Sequence, residues 1–409
     1  MSVLSSMIKR YKSTNLIIKI MIGIVVGVFV GICIPSFTDY TSLLGDFFIG
    51  ALKAIAPILV FILVLSAIST REYGNGTKKI KQVIILYLIG TFLASVCGVV
   101  ASFLFPTKLI LEIPNNIDLT PPSSVAMVFK DLLFKMIENP VSALANGNYI
   151  GILTWAIAAG IALKTCSKEV KKVFIDINEG TIKIVAFIVR LAPIGIFGLV
   201  STSVAKTGVE TLADYVLLLL VLVGTMLFVT FVINPLIVFV VTKKNPYPLV
   251  WVCIKHSAIY AFFTRSSAAN IPVNMALCSK INVDKELYGV SIPLGATINM
   301  AGAAVTISVL ALAAVHTLGL NITFTNAILL SFLAAFAACG ASGVAGGSLL
   351  LVPLACSLFG INDDIAMQVV GVGFIIGVIQ DSVETALNSS TDVLFSAICS
   401  DTKIDLSRV

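Results

Sequence analysis

The sequence predicts an all-α membrane protein, and three observations predict it. The chain of 409 residues is 58% hydrophobic and only 12% charged, with a mean hydropathy of +1.05. Soluble domains are nearer half apolar and a quarter charged. The apolar residues gather into long runs, several of the roughly 20 residues a helix needs to cross a bilayer. The basic residues gather in the short connectors between those runs.

The first run, 16–35, follows a basic N-terminus. It is longer than a signal-peptide core and lacks a small-residue cleavage pattern, so it reads as the first span, with the N-terminus in the cytoplasm. Runs at 43–69, 82–106, 149–165, 180–204 and 212–242 continue the series. Basic clusters precede the first run and follow the second, fourth and sixth: Lys9, Arg10, Lys12; Arg71, Lys78, Lys79, Lys81; Lys164, Lys168, Lys171, Lys172; Lys243, Lys244. This alternation is the positive-inside pattern. It accounts for the net charge of +6 without invoking nucleic acid, because the basic residues form no stripe. The connector 107–147 carries mixed charge with many Pro and Asn and reads as an outside loop that folds back or holds a short helix.

Beyond Lys244 the pattern changes. Segment 248–280 is interrupted by Thr264-Arg265-Ser266-Ser267, with Asn270 and Pro272 close behind. Segment 286–318 contains Gly295, Thr297, Asn299 and Gly302, and segment 324–359 is broken by a Gly-rich tip at 340–348. Segment 364–400 carries Asp381, Glu384, Thr385, Asn388 and Asp392. Two apolar segments broken by Ser/Gly tips, each followed by a span with polar residues at depth, point to an inverted repeat with a midplane site. Lipid tolerates non-helical backbone only under protein or water, so the tips are expected as hairpin turns inside the protein.

At 3.6 residues per turn the five polar residues of the last run fall within an arc of about 100°. Val383, Ala386, Leu387 and Leu394 lie opposite, and Ser390 breaks the pattern. Each carboxylate at the bilayer centre costs roughly 2.5–3.5 kcal/mol, so three cost on the order of 8–10 kcal/mol if summed, which argues for a lined cavity. Arg265 against Asp381, Glu384 and Asp392 leaves two negative charges over. A cation plus the ammonium of a zwitterion would balance them. Asn299, Asn388 and the interrupted backbone offer oxygens for an alkali cation, and the tips offer N–H groups for a carboxylate.

Other chemistry finds little support. The eight cysteines are scattered without metal or disulfide spacing, and the two histidines, His256 and His316, stand alone. Arg190 reads as a snorkelling or helix-end residue. No phosphate loop occurs. An intramembrane enzyme would need a Ser–His or metal pair, and adjacent His256 and Ser257 do not face each other on a helix. A channel, or a carrier driven by protons titrating on Glu384 or Asp381, remains an alternative.

The order Arg265-Ser266-Ser267, Asn299-Met300, a Gly-rich tip, then Asp381, Thr385, Asn388 and Asp392 resembles the dicarboxylate/amino acid:cation symporter family over essentially the whole chain. The resemblance implies eight transmembrane helices plus two re-entrant helical hairpins, near 248–280 and 324–359, in an inverted-repeat elevator transporter. It also implies a homotrimer in the bacterial inner membrane with both termini cytoplasmic. The scaffold would be mainly 16–70 and 149–204, and the transport part mainly 82–106 and 212–400, with the second hairpin as outer gate. Ser267 and Asn388 match positions for the substrate α-carboxylate, and Asp381 matches the acid for its ammonium. Arg265, Ser266, Glu384 and Thr385 complete the substrate set. Val344 and Ser348 match hairpin backbone that closes over it. Gly295, Asn299, Asn388 and Asp392 match one sodium site, and Thr297, with backbone around 338–341, another. Sodium is expected as co-transported ion, with no other cofactor.

Two departures from the family pattern narrow the expectation. Glu384 stands where members with acidic substrates carry Arg, and Ala303 replaces Thr. A glutamate there would repel an acidic side chain, so small neutral amino acids are expected, serine and threonine foremost. Ala301 replaces an aspartate, and the third run shows Tyr87, Gly90 and Thr91, so a further sodium site is expected to be absent.

Overall fold

The computed structural model describes residues 16–69, 78–111, 133–208, 211–341 and 346–409. Lys9, Arg10, Lys12 and Arg71 of the expected topology signals, and Val344 of the second tip, lie outside the described residues. Within them the chain is a multi-pass membrane protein built of helices, with no strand.

The first helices are α1 (Leu16–Cys33), α2 (Thr38–Ser69) and α3 (Lys78–Leu104). In the connector that follows, α4 (Pro140–Asn146) is the expected short helix. Asn139 starts it by accepting the N–H groups of Val141 (2.9 Å) and Ser142 (3.3 Å), and Pro140 sits where no N–H is needed. After α5 (Tyr149–Leu163) the structure departs from the sequence reading. The run 180–204 is not one simple span: α6 (Lys168–Arg190) and α7 (Ala192–Thr207) meet at a 47° bend. Pro193, lacking an N–H, interrupts the ladder there. The basic cluster Lys168, Lys171 and Lys172 therefore lies on a helix rather than in a connector.

Then α8 (Thr211–Phe228) passes through a π turn (Val229–Ile233) into α9 (Asn234–Thr242). A helix–turn–helix follows. Its first arm joins α10 (Tyr247–Cys253) through a π turn (Ile254–Ala258) to α11 (Ile259–Thr264), and α12 (Ser267–Lys280) returns. The chain continues with α13 (Lys285–Ile298), α14 (Ala301–Thr317), α15 (Phe324–Ala338), α16 (Val352–Ser357) and α17 (Asp363–Ile398).

In the N-terminal packing, α1 and α2 lie on α7, and α2 also meets α5 and α6. The hydroxyls of Thr41 and Ser201 meet at 2.7 Å across one of these contacts. The C-terminal packing centres on α14, whose residues from Ala301 to Val315 are all buried. A helix apolar on every side belongs in an interior, and its alanines admit neighbours closely. The Ser95 and Ser308 hydroxyls meet at 2.7 Å between α3 and α14. Around α17 stand α8, α11, α12, α13, α14 and α16. Its polar residues thus face protein.

By length and apolarity, five helical stretches of the described residues are able to cross a bilayer: 35–66, 78–104, 214–242, 285–317 and 363–398. The bent α6–α7 pair makes a sixth, while α1, α5 and α15 are apolar but shorter. Large hydrophobics such as Phe29, Phe47, Leu220, Phe263 and Phe332 are exposed on the outer surface, as a lipid-facing belt requires.

Candidate functional site

Asp381, Glu384, Thr385, Asn388 and Asp392 are all buried along α17. The side of α17 opposite them is enclosed as well: Leu387 and Leu394 are buried, and Ser390, the exception in the pattern, returns its hydroxyl to Ala386 O at 2.7 Å. The helix carries its carboxylates inside a protein-lined environment.

Three breaks in helical structure converge on this face. At the first, Arg265 ends α11 in the left-handed region (φ 50°), a conformation costly for a residue with a side chain. Its Nη1 stands 3.7 Å from Asp381 Oδ2, with only 12% and 6% of the two side chains exposed. Ser266 caps α12 by accepting the Ala269 N–H at 3.2 Å, and Ser267 is buried in the first turn. This turn brings a cation and the positive end of a helix together.

The second break is the Gly-rich tip. Gly346 stands in the same small cavity as Asp381, whose Oδ2 has no hydrogen-bond partner among the described residues. Ser348 Oγ donates to Glu384 Oε2 at 2.8 Å. Thr306 Oγ1 (2.7 Å) and Gln380 Nε2 (2.5 Å) donate to that same oxygen. The Thr385 hydroxyl is turned back to Asp381 O at 2.8 Å. Arg265, Asp381 and Gly346 line a small cavity with Leu349, Phe374 and Gly377, walled on its far side by α1, α6 and α7.

The third break is Asn299-Met300, non-helical for two residues between α13 and α14 (φ/ψ −91°/75° and −116°/50°). Asn299 Nδ2 donates to Asp392 Oδ1 at 2.8 Å and to Asn388 O at 3.1 Å. Asn388 Oδ1 accepts the Gly302 N–H at 2.7 Å, and its Nδ2 faces Met300 Sδ at 3.4 Å. Asp392 Oδ2 and Asn299 Oδ1 remain buried with no hydrogen-bond partner among the described residues. Gly295 lies flush against the Asp392 carboxylate: a Cβ there would overlap Asp392 Oδ1 and come within 2.9 Å of Tyr87 Oη. A buried carboxylate oxygen and amide oxygen, both unpaired, beside an unwound backbone make a chemically suitable seat for an alkali cation.

Thr297 is not brought to this cluster. It is exposed, with its hydroxyl on Leu294 O at 2.8 Å, because two residues along a helix from Gly295 turn it to the opposite side. Sequence reasoning also missed Gln380 and Thr306. The i,i+4 spacing of Gln380 and Glu384 on one helix was the available signal. A further buried network was only half seen through Asn270. Asn270 Nδ2 donates to Ser389 Oγ (2.7 Å), Asn274 Nδ2 donates to Ser389 O (3.0 Å), and Ser257 Oγ donates to Asn274 Oδ1 (2.6 Å), fastening both arms of the first hairpin to α17.

The model of the sodium:dicarboxylate symporter family matches residues 16–402. The chain belongs to that family. Among its curated relatives are proteins named "Serine/threonine transporter SstT" from Campylobacter jejuni. The one from strain 81-176 is 63% identical over 401 residues, covering 98% of each chain, and the one from strain NCTC 11168 is 62% identical over the same span.

The residues expected to depart from the family pattern have close surroundings. Ala303 is fully buried. Glu384 is held by donors on two other elements and on its own helix. Beside Gly90 lies the Phe395 ring, with Cε2 2.9 Å from where a Cβ would stand, so any side chain at that position would have to displace the ring. Tyr87 Oη is occupied by Ser291 O (3.2 Å), Asp392 O (3.2 Å) and Ser396 Oγ (3.3 Å).

Proposed function

We propose that this protein is a sodium-coupled symporter that imports small neutral amino acids, serine and threonine first. The observation that carries the coupling is the pair of buried, unpartnered oxygens, Asp392 Oδ2 and Asn299 Oδ1, beside Gly295. The substrate choice is supported by the printed names of full-length relatives and by Glu384 in place of a cation. Arg265, Ser266 and Ser267 from one tip, Val344 and Ser348 from the other, and Asp381, Glu384, Thr385 and Asn388 of α17 form the substrate site in this reading. The α-carboxylate meets the N-terminus of α12, and the ammonium meets Asp381. Gly295, Asn299, Asn388 and Asp392 hold one sodium ion. A second sodium ion uses Thr297 and the backbone near 338–341. The hydrogen bond from Cys339 Sγ to Ile298 O, at 3.4 Å and one residue from Thr297, supports that pairing.

The architecture proposed is eight spans and two re-entrant hairpins in a homotrimer of the bacterial inner membrane, with both termini cytoplasmic. The scaffold is 16–70 and 149–204, and the moving part is 82–106 and 212–400. The packing of α1, α2 and α5 to α7 mainly on one another, and of α14 on α3, α8 and α17, supports this division, with α17 also touching α1, α2 and α7. Uptake of labelled serine, threonine and glutamate into proteoliposomes under imposed sodium or pH gradients tests the function. Serine and threonine uptake driven by sodium is expected; uptake indifferent to sodium sinks the reading, and uptake driven by pH alone replaces it with proton coupling.

A further inference from the structure

We propose that the slot between α3 and α8 is a binding site for one acyl chain of a bilayer phospholipid, held there as part of the packing of these two helices. The slot has a volume of about 550 Å³, within the range of ligand pockets. On α3 its wall includes Cys97, Ala101 and Leu104; on α8 it includes Leu220, Gly224 and Phe228. Each set repeats every three to four residues, so each is one face of its helix. The lining runs over 96–105 and 217–228, about 15–18 Å along the two axes. A slot laid lengthwise along two helices takes an extended chain more readily than a compact solute.

Its chemistry is that of hydrocarbon. The Thr225 hydroxyl, the only oxygen among the lining side chains, is turned onto Val221 O of its own helix at 2.6 Å. No charged side chain lines the slot, and the Cys97 thiol is the one other polar group. An ion or a zwitterion therefore finds no partner there. The rim residues Val100, Leu104, Leu220 and Phe228 are exposed and continue the lipid-facing belt. Both helices belong to stretches long and apolar enough to cross a bilayer, 78–104 and 214–242. What covers the rim is therefore lipid, and the slot is open to it.

Small residues make the room. A Cβ added to Gly224 would meet nothing within 4 Å. Left empty, the walls would lack partner atoms, and dispersion contacts are what hold helices together in lipid. The slot also reaches the end of α3 at Leu104 and Phe105, where Pro106 and exposed Lys108 begin the polar connector. A chain lying in it carries its ester and phosphate toward that boundary, which suits a phospholipid better than a free hydrophobic solute.

The test uses the full-length protein in nanodiscs of phosphatidylethanolamine and phosphatidylglycerol, doped with a phosphatidylethanolamine that bears a diazirine midway along one acyl chain. After illumination, peptide mass spectrometry maps the adducts. Adducts on 96–105 and 217–228 are expected to exceed those on the open belt at Phe29 and Phe332 several-fold. Gly224→Leu, whose side chain fills the slot, is expected to bring them down to the belt level while the belt adducts stay unchanged. If Gly224→Leu does not insert, Gly224→Ala gives the same comparison with a smaller plug and a partial loss. A second readout is thermal unfolding in detergent: the delipidated native protein is expected to regain stability when phospholipid is added back, and Gly224→Leu to gain less. Adducts spread evenly over the belt overturn the assignment, as does an enrichment that Gly224→Leu leaves intact. Oxidative cross-linking of two chains through Cys97 overturns it in favour of a contact between copies. Neither measurement involves transport, so both stand apart from the symport reading.

Discussion

Asp392→Asn separates the charge of the proposed sodium seat from its shape. The amide keeps the volume of the carboxylate and an oxygen able to accept from Asn299 Nδ2, which now lies 2.8 Å from Asp392 Oδ1. What disappears is the negative charge on the unpartnered Oδ2. A contact to a charged group is worth about 1.5–3 kcal/mol. The sodium concentration for half-maximal uptake should therefore rise by roughly tenfold to a hundredfold. Stability should move the other way in the absence of sodium. An uncompensated buried charge destabilises, so the sodium-free variant is expected to unfold no earlier than the native protein. At about 100 times its dissociation constant, sodium should stabilise the native protein by roughly 2.7 kcal/mol and leave the variant almost unmoved at the same concentration. Sodium-titrated uptake and thermal unfolding with and without sodium, against a potassium control, measure both. A half-maximal sodium concentration within about twofold of native, or an equal sodium-induced stabilisation in the variant, would refute the assignment.

Gly295→Ala should damage the same function by steric means, since the added methyl group would push on the Asp392 carboxylate and on Tyr87 Oη; sodium-titrated uptake is expected to show a raised requirement in protein that still inserts and assembles. Glu384→Arg combined with Ala303→Thr should shift preference from serine toward aspartate or glutamate, and competition uptake that leaves serine preference intact would show that Glu384 does not act on the substrate side chain. Outside the membrane, Glu138 accepts from Ser142 Oγ (2.6 Å) and Asn148 Nδ2 (2.5 Å), which lowers its pKa below the ordinary 4.5. A lowered carboxylate pKa gives stability that is fully present above the unfolded value and is lost as pH falls through the folded one. Hydrogen exchange of 140–148 should therefore accelerate below about pH 4.5, and Glu138→Gln should remove that acid step.

The sequence made the general class and the polar face of α17 legible for one physical reason. Helical spacing is fixed, so Asp381, Glu384, Asn388 and Asp392 had to share a face wherever the helix lay. The same rule made Gln380 visible as a neighbour of Glu384, but nothing in the spacing said that Thr306, on another helix, would meet both. Contacts between elements depend on packing, which a periodicity does not contain. The bend between α6 and α7 was likewise hidden, because the apolar run 180–204 reads as continuous across it while the charge-bearing first half of α6 lies outside that run. Thr297 shows the converse limit: nearness in sequence to Gly295 and Asn299 did not bring it to them, since a helix turns residues two apart to opposite sides.

The charge count from sequence left two negative charges without saying where they sit. The hydrogen bonds distribute them. Asp381 has the Arg265 guanidinium at 3.7 Å, while its Oδ2 accepts no hydrogen bond among the described residues, and Glu384 has three donors on one oxygen. Asp392 has a single donor, Asn299, and an oxygen with none among the described residues. Asp392, unlike Asp381, has no cationic side chain within 4 Å among the described residues, so the unmet demand for positive charge is greatest there, about three turns along α17 from Asp381. A zwitterion lodged between Arg265 and Asp381 brings no net charge and cannot meet that demand. A separate cation can. In the proposed reading, coupling follows from the shared parts: Asn388 supplies its backbone oxygen to Asn299 beside Asp392 and its side chain to Gly302, whose backbone abuts Glu384. An ion that orders Asn299 and Asn388 would therefore also order the junction of α14 with Glu384 on the proposed substrate side of α17.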